Sequence, residues 1–280
     1  MYLWRRATSE RWLDENESEL RNLAGHRLAI IERPNRKRLL LEVGSNSRPL
    51  LQQIEKRFSG RIQKLSREWL KRSLRRKTKP LRIGTKRLII PAGAAFGTGE
   101  HATTAMSLRL LEKVFRNATG DRSVDLLASP LANPRGLSRL RRSAPARSVV
   151  DLGTGSGILA LAAKRLGAKR AVGIDNDPIA ISTAKANARL NRIRGVQFGV
   201  ADVRRYKLPR KPDIITANLF SELLIEILPK LRKARWSILS GILREQERDL
   251  VRALNRNKID IVEVQRRGKW VAVLACSGAL

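Results

Sequence analysis

Ser148-Val-Val-Asp-Leu-Gly-Thr-Gly-Ser-Gly-Ile-Leu-Ala-Leu-Ala-Ala-Lys-Arg-Leu-Gly167 is the stretch that decides the fold. Val149 and Val150 open it as a short β-branched, apolar run, the mark of a buried strand. Three alternate glycines, Gly153, Gly155 and Gly157, break that strand. Ile158 to Leu166 are good helix formers, and Gly167 stands where a helix takes its C-cap. Strand, glycine loop and helix form the ligand-binding opening of a doubly wound α/β fold. The next strand, Arg170 to Asp175, ends on a carboxylate 18 positions after Gly157. Such folds place an acid there to take the two hydroxyls of a ribose.

The glycine spacing bears on the ligand. A dinucleotide site reads Gly-x-Gly-x-x-Gly and aims a helix N-terminus at a pyrophosphate. Here the pattern is Asp151-x-Gly-x-Gly-x-Gly, one residue shorter and led by an acid. S-adenosylmethionine has no phosphate; it has an ammonium, a carboxylate and a sulfonium. Asp151 can face that cationic end, while Gly153 and Gly155 let the backbone approach the rest. The reading favours S-adenosylmethionine over NAD.

Composition sets the outer limits. A chain of 280 residues, 42% hydrophobic and 30% charged, can bury a large core in one or two domains. Its longest apolar runs fall short of a membrane span, and Met-Tyr-Leu-Trp-Arg-Arg lacks the apolar core of a signal peptide, so the expectation is a cytoplasmic protein with no membrane contact. A single cysteine, Cys276, excludes an internal disulfide framework, and with two histidines the chain is not expected to hold a metal. The outstanding number is the charge: Lys and Arg total 58 against 25 Asp and Glu, for a net +33. Such a chain is drawn to polyanions, most simply RNA or a ribonucleoprotein surface.

Residues 1–68 read as a small β-α-β-β-α-β unit, the split ferredoxin-like motif, with Ser9 and Ser47 opening its helices. Residues 69–80 form a basic linker, and 81–280 form the larger Rossmann-like domain. Pro91-Ala-Gly-Ala-Ala-Phe-Gly-Thr-Gly-Glu-His-Ala-Thr-Thr104 is small, glycine-rich and polar, then opens a helix over Thr104–Phe115. Its hydroxyls and N–H groups can bind the methionine end of a cofactor. An irregular insert with three prolines occupies about 117–147. Beyond Asp175, strands over 196–200, 212–218, 236–241, 259–264 and 269–276 alternate with helices over 178–191, 219–232 and 243–255. Asp202 follows the third strand of this domain, where an acid can contact an adenine amino group or cap a turn. Asn218 ends the fourth, at the ligand crevice by topology.

Taken together, Ala95-Phe-Gly-Thr-Gly-Glu-His-Ala-Thr-Thr104, Val150-Asp-Leu-Gly-Thr-Gly-Ser-Gly-Ile-Leu-Ala160, Gly173-Ile-Asp-Asn-Asp-Pro178, Ala217-Asn-Leu219 and Leu239-Ser-Gly-Ile-Leu243 resemble the PrmA family. Those enzymes methylate protein eleven of the large ribosomal subunit. The resemblance implies that Thr104, Gly153, Asp175 and Asn218 contact S-adenosylmethionine. It also implies that Phe96 lies beside the cofactor's reactive end and that the small N-terminal unit recognises the ribosomal substrate. The chain departs from the family pattern in Pro91-Ala-Gly-Ala and in the glycine-free Lys230 to Arg235 turn.

The implied reaction is methyl transfer to lysine or other amino groups of a ribosomal protein, with RNA contact through the basic surface. Three alternatives stand beside it: an RNA methyltransferase, a lysine methyltransferase with another protein target, and a non-catalytic ribosome-binding module. Asn218 is followed by Leu219-Phe220-Ser221 rather than Pro-Pro-aromatic, which disfavours methylation of planar amides and exocyclic amines. The donor is already activated, so alignment and desolvation carry the step and no indispensable base is expected. His101 is the residue in reach of a proton-removing role, against an equally simple role in the loop or as a cap.

Overall fold

The computed structural model describes residues 2–31, 38–65, 80–91, 101–118, 148–209 and 211–277. Phe96 with its glycine-rich neighbours 92–100, the basic stretch 66–79 and the insert from 119 to 147 lie outside the described residues. The chain divides into two compact units, one within Met1–Arg76 and one comprising Lys77–Pro91 and Gly97–Leu280.

In the smaller unit the elements are β1 (Tyr2–Thr8), α1 (Glu10–Ala24), β2 (Leu28–Ile31), β3 (Leu39–Ser45), α2 (Arg48–Phe58) and β4 (Arg61–Lys64). The strands form an antiparallel sheet in the order β2-β3-β1-β4. Ser9 caps α1 by accepting from the Trp12 N–H at 3.2 Å, and Ser47 caps α2 with Pro49 in its first turn. Alternation along β3 puts Leu39, Leu41 and Val43 into the core with Trp4, Leu13, Leu20, Leu51 and Ile54. The buried Trp4 donates its indole N–H to the Ser59 carbonyl at 2.8 Å, fixing the turn that ends α2.

The larger unit opens with a short hairpin, β5 (Leu81–Ile83) and β6 (Lys86–Leu88), followed by α3 (Ala102–Ala118). Then come β7 (Ser148–Leu152), α4 (Ile158–Leu166), β8 (Arg170–Asp175), α5 (Pro178–Leu190) and β9 (Val196–Val200). The second half holds β10 (Ile214–Asn218), α6 (Ser221–Leu231), β11 (Trp236–Leu243), α7 (Glu247–Arg256), β12 (Ile259–Arg267) and β13 (Trp270–Ser277). Seven strands pair in the order β12-β13-β11-β10-β7-β8-β9. β7 to β11 run parallel, and β13 lies antiparallel between β11 and β12.

The central strands are apolar at successive positions because both faces are covered. Val149 and Ile214 face a core shared with α3 and α4, whereas Val150 and Ile215 face one shared with α6 and α7. The order of strands reverses between β7 and β10, and the crevice outside their carboxyl ends is where such sheets bind ligands. α3 starts two residues earlier than the sequence predicts and extends to Ala118, through the expected start of the insert. His101 supplies the reason at its front end: its Nδ1 meets the Thr103 N–H at 3.4 Å and the Thr103 hydroxyl at 2.8 Å, as an N-cap would. No helix among the described residues is long and apolar enough to cross a membrane.

Candidate functional site

The glycine loop joins β7 to α4 at the reversal point. Gly153 has φ of +69° and Gly157 of +81°, values that favour glycine. Space constrains them further. A Cβ on Gly153 would fall 2.3 Å from Leu219 Cδ2, and one on Gly157 2.9 Å from Ala184 Cβ and 3.0 Å from the Phe198 ring. The loop therefore lies flat against α5, β9 and the chain leaving β10.

Asp151 sits beneath this loop and is 1% exposed. One carboxylate oxygen accepts from the Thr154 hydroxyl at 2.6 Å and the other from the Thr216 hydroxyl at 2.6 Å. Burial pushes its carboxyl up from the ordinary 3.8 to about 6, while the two hydroxyls and the Ala160 backbone N–H pull the other way. Sequence reading sets this acid opposite the cationic end of a cofactor. Its oxygens grip the loop and the neighbouring strand, and its charge lies at the N-terminus of α4, where the helix dipole favours it.

Asp175 ends β8 on the rim. Its Oδ2 accepts from the Gly155 N–H at 2.9 Å and its Oδ1 from the Asp177 N–H at 3.0 Å. Each oxygen retains acceptor capacity for a ligand hydroxyl. Asp202 follows β9, and its Oδ1 accepts from the Arg204 N–H at 2.8 Å while its carbonyl accepts from the Arg205 and Tyr206 N–H groups. That is the turn-capping arrangement named as its alternative role.

The opposite wall comes from α3 and β10. The Asn218 amide donates to the Thr103 hydroxyl at 3.3 Å, which in turn meets His101 Nδ1. Nδ1 is engaged by Thr103 at the front of α3, and the ring packs edge-on against Trp270 with centroids 5.0 Å apart. Ser107 bridges Ser240 on β11 at 2.7 Å and the Thr103 carbonyl at 3.0 Å. Thr104 is the exception: its hydroxyl is buried with no hydrogen-bond partner among the described residues. A buried polar atom without a partner is costly, and a ligand is one way to supply it.

The structure thus brings Thr104, Asp151, Gly153, Gly155, Asp175, Asp202 and Asn218 to the same end of the sheet. Phe96 is outside the described residues. Sequence reasoning missed Thr216, Ser107, Ser240 and Asn187. The Asn187 amide donates to the Ser156 carbonyl at 2.8 Å and so clamps the loop from α5. One signal was available for Thr216: it lies two residues before Asn218, on the same face of β10, and pairs in register with Asp151. Cys276 is buried in β13, and burial pushes its thiol up to about 12, so it is an inert core residue.

Residues 84–277 match the family model described as ribosomal protein L11 methyltransferase (PrmA). A ribosomal protein L11 methyltransferase of Pelobacter propionicus is 35% identical over 218 residues, covering 70% of this chain and 62% of the relative. One of Clostridium perfringens is 30% identical over 221 residues, covering 70% of this chain and 60% of the relative. The chain thus spans about six tenths of the length of these curated relatives. Among solved structures, a ribosomal protein L11 methylase of Lactobacillus delbrueckii subsp. bulgaricus aligns with a TM-score of 0.48 at 27% identity, covering 66% of this chain and 82% of that one.

Proposed function

Since the chain belongs to the family of ribosomal protein L11 methyltransferases, we propose that it transfers methyl groups from S-adenosylmethionine to lysine or other amino nitrogens of a large-subunit ribosomal protein, L11 or its counterpart. The observation that carries the reading is the crevice between β7 and β10. There the glycine loop hands its Gly155 N–H to the rim carboxylate of Asp175, at the end of the sheet that also holds the unsatisfied buried hydroxyl of Thr104. Ribosomes place this work in the cytoplasm.

The residues present suit the cofactor. Asp175 would take the ribose hydroxyls with the acceptor capacity that Gly155 and Asp177 leave. Thr104 and Asn218 would meet the polar methionine end, with Gly155 allowing close approach and Gly153 leaving room for Leu219. Asp202 would lie towards the base. Asp151 acts by positioning: it holds Thr154 and Thr216, and through them the loop. The cofactor supplies an activated methyl group on a sulfonium, so the protein's task is alignment and exclusion of water.

A lysine acceptor has an ordinary pKa of about 10.4 and must be neutral to attack. Burial beside the crevice favours its neutral form. His101, with Nδ1 engaged in capping α3, is a structural residue rather than a base. His101→Ala should therefore lower stability more than turnover; loss of most turnover with cofactor affinity intact would refute this. The small unit would present the ribosomal substrate, and Phe96 would shape the acceptor opening.

The deciding experiment supplies labelled S-adenosylmethionine together with ribosomes and free ribosomal proteins lacking prior modification, then separates protein from RNA. Label in one small large-subunit protein supports the reading. Label in RNA, or in a non-ribosomal protein only, replaces the substrate; no transfer with the cofactor bound would leave a binding module.

A further inference from the structure

The topology gathers positive charge at the end of the sheet opposite the crevice. β8, β9 and β11 run parallel, and β12 runs in the same direction as β11 because both oppose β13. The turns that precede these four strands therefore share one edge. Arg170 begins β8, Arg192 and Arg194 precede β9, Arg232 and Lys233 precede β11, and Lys258 precedes β12. All six are exposed. Among the described residues, none has a carboxylate within ion-pair distance. Elsewhere many acids are already engaged, as in Arg5–Glu42, Arg21–Glu17, Arg57–Glu19 and Lys113–Glu263. The carboxylates near the edge are half-buried, and Asp213 already accepts from both the N–H and the hydroxyl of Ser148.

Cations at the C-terminal ends of helices complement the helix dipole, and one per helix would serve that purpose. Here they recur in turn after turn and outnumber the half-buried Asp213 and Asp260. Strands spaced about 4.8 Å apart spread the row from β9 to β12 over about 30 Å. Four of the six are arginines, whose planar forks fit phosphate oxygens.

We propose that this basal edge binds the phosphate backbone of double-stranded RNA while the crevice at the other end remains open. A backbone-reading surface needs charge and spacing rather than aromatic platforms. The large apolar side chains most exposed among the described residues are Leu190, Val200 and Phe220, and only Leu190 lies towards this edge. A single leucine is far from the apolar face with which a protein enters a lipid surface. The inference does not depend on the methyl-transfer reading, and its test omits the cofactor.

The test measures binding of the full chain to a 30-base-pair RNA duplex, on the order of 10² Å long, across a salt series. The basal variant carries Arg170→Gln, Arg194→Gln, Arg232→Gln and Lys233→Gln. The control carries Arg244→Gln, Arg248→Gln, Arg267→Gln and Lys269→Gln, four exposed cations towards the crevice end of the sheet. If the basal cations contact phosphates, the slope of log affinity against log salt flattens by about 3 units in the basal variant, with a drop of at least tenfold near 0.1 M salt. The control changes little. Unfolding midpoints close to that of the parent show that both variants fold. Equal losses in the two variants, an unchanged slope, no duplex binding by the parent chain, or tighter binding to phosphatidylserine vesicles than to the duplex would overturn the proposal.

Discussion

The two ends of the seven-stranded sheet solve opposite problems. At the carboxyl ends of β7 and β10 the polar groups are buried and matched to one another: Asp151 to Thr154 and Thr216, Asn218 to Thr103, Ser107 to Ser240. At the amino ends of β8, β9, β11 and β12 the charges are exposed and lack such partners. One end is specified by shape and by satisfied hydrogen bonds, so one misplaced atom is felt there. The other is specified by net field, so single residues matter little and only their sum is read. A chain with a net charge of +33 can thus keep a closely matched set of buried polar groups at one end of the sheet while its cations stay exposed.

The crevice end should break on a single methyl group. Gly157→Ala places a Cβ 2.9 Å from Ala184 Cβ and 3.2 Å from its Cα, on a backbone with φ of +81°. Neither neighbour is the far end of a flexible side chain. Urea unfolding should show a loss of about 3 kcal/mol, and calorimetry should detect no cofactor binding.

The next effect is a pH signature. Asp151 titrates near 6 in the folded chain and near 3.8 when unfolded. The unfolded state gives up its proton first, so this group's contribution falls as pH rises from about 4 through about 6, then levels off. The fall is on the order of 3 kcal/mol. Unfolding curves for Asp151→Asn should lack that descent. A variant that kept the full descent would place its cause at another group.

Asp175→Ala removes the rim acceptor and the bonds to the Gly155 and Asp177 N–H groups. Charge-assisted hydrogen bonds of this kind correspond to a 10- to 100-fold weaker cofactor Kd, with turnover at saturation reduced less. The smallest effect has two signs. Thr104→Val keeps the side chain's shape and deletes the orphan hydroxyl. The ligand-free protein should gain about 1 kcal/mol by thermal unfolding, while cofactor affinity drops several-fold. Lower stability without cofactor would mean that the hydroxyl is satisfied when the crevice is empty.

What could be read in the chain follows the distance over which each feature is encoded. Val149 to Gly167 is local: β-branching, alternate glycines, helix formers and a glycine cap lie within twenty residues, and Asp175 closes the pattern. The partners that hold the loop are distant. Thr216 lies 65 residues from Asp151, Asn187 lies 31 from Ser156, and Ser240 lies 133 from Ser107. Hydroxyls and amides on buried elements far apart in the chain are brought together by strand register in one case and by helices packing on the sheet and loop in the others. For Asp151 the sequence gives a position beside the glycines, and the fold adds the two hydroxyls that its carboxylate grips. The basal charge was visible as a sum, but its placement required the strand order.

Helix α5 carries a constraint that neither end of the sheet shows alone. Its Asn187 holds the Ser156 carbonyl of the glycine loop. One turn further on, Asn191 pairs with Ile89 as a strand neighbour would, accepting from its N–H at 2.7 Å and donating to its carbonyl at 2.6 Å. Four residues along a helix amount to about 6 Å and just over a full rotation. The helix thus acts as a gauge block between the loop and the segment leaving β6. One residue inserted between the two asparagines would swing the second amide by about 100° and release one clamp or the other. Length variation among related chains should therefore be absent between positions 187 and 191 and tolerated just after, where the chain has already left the helix.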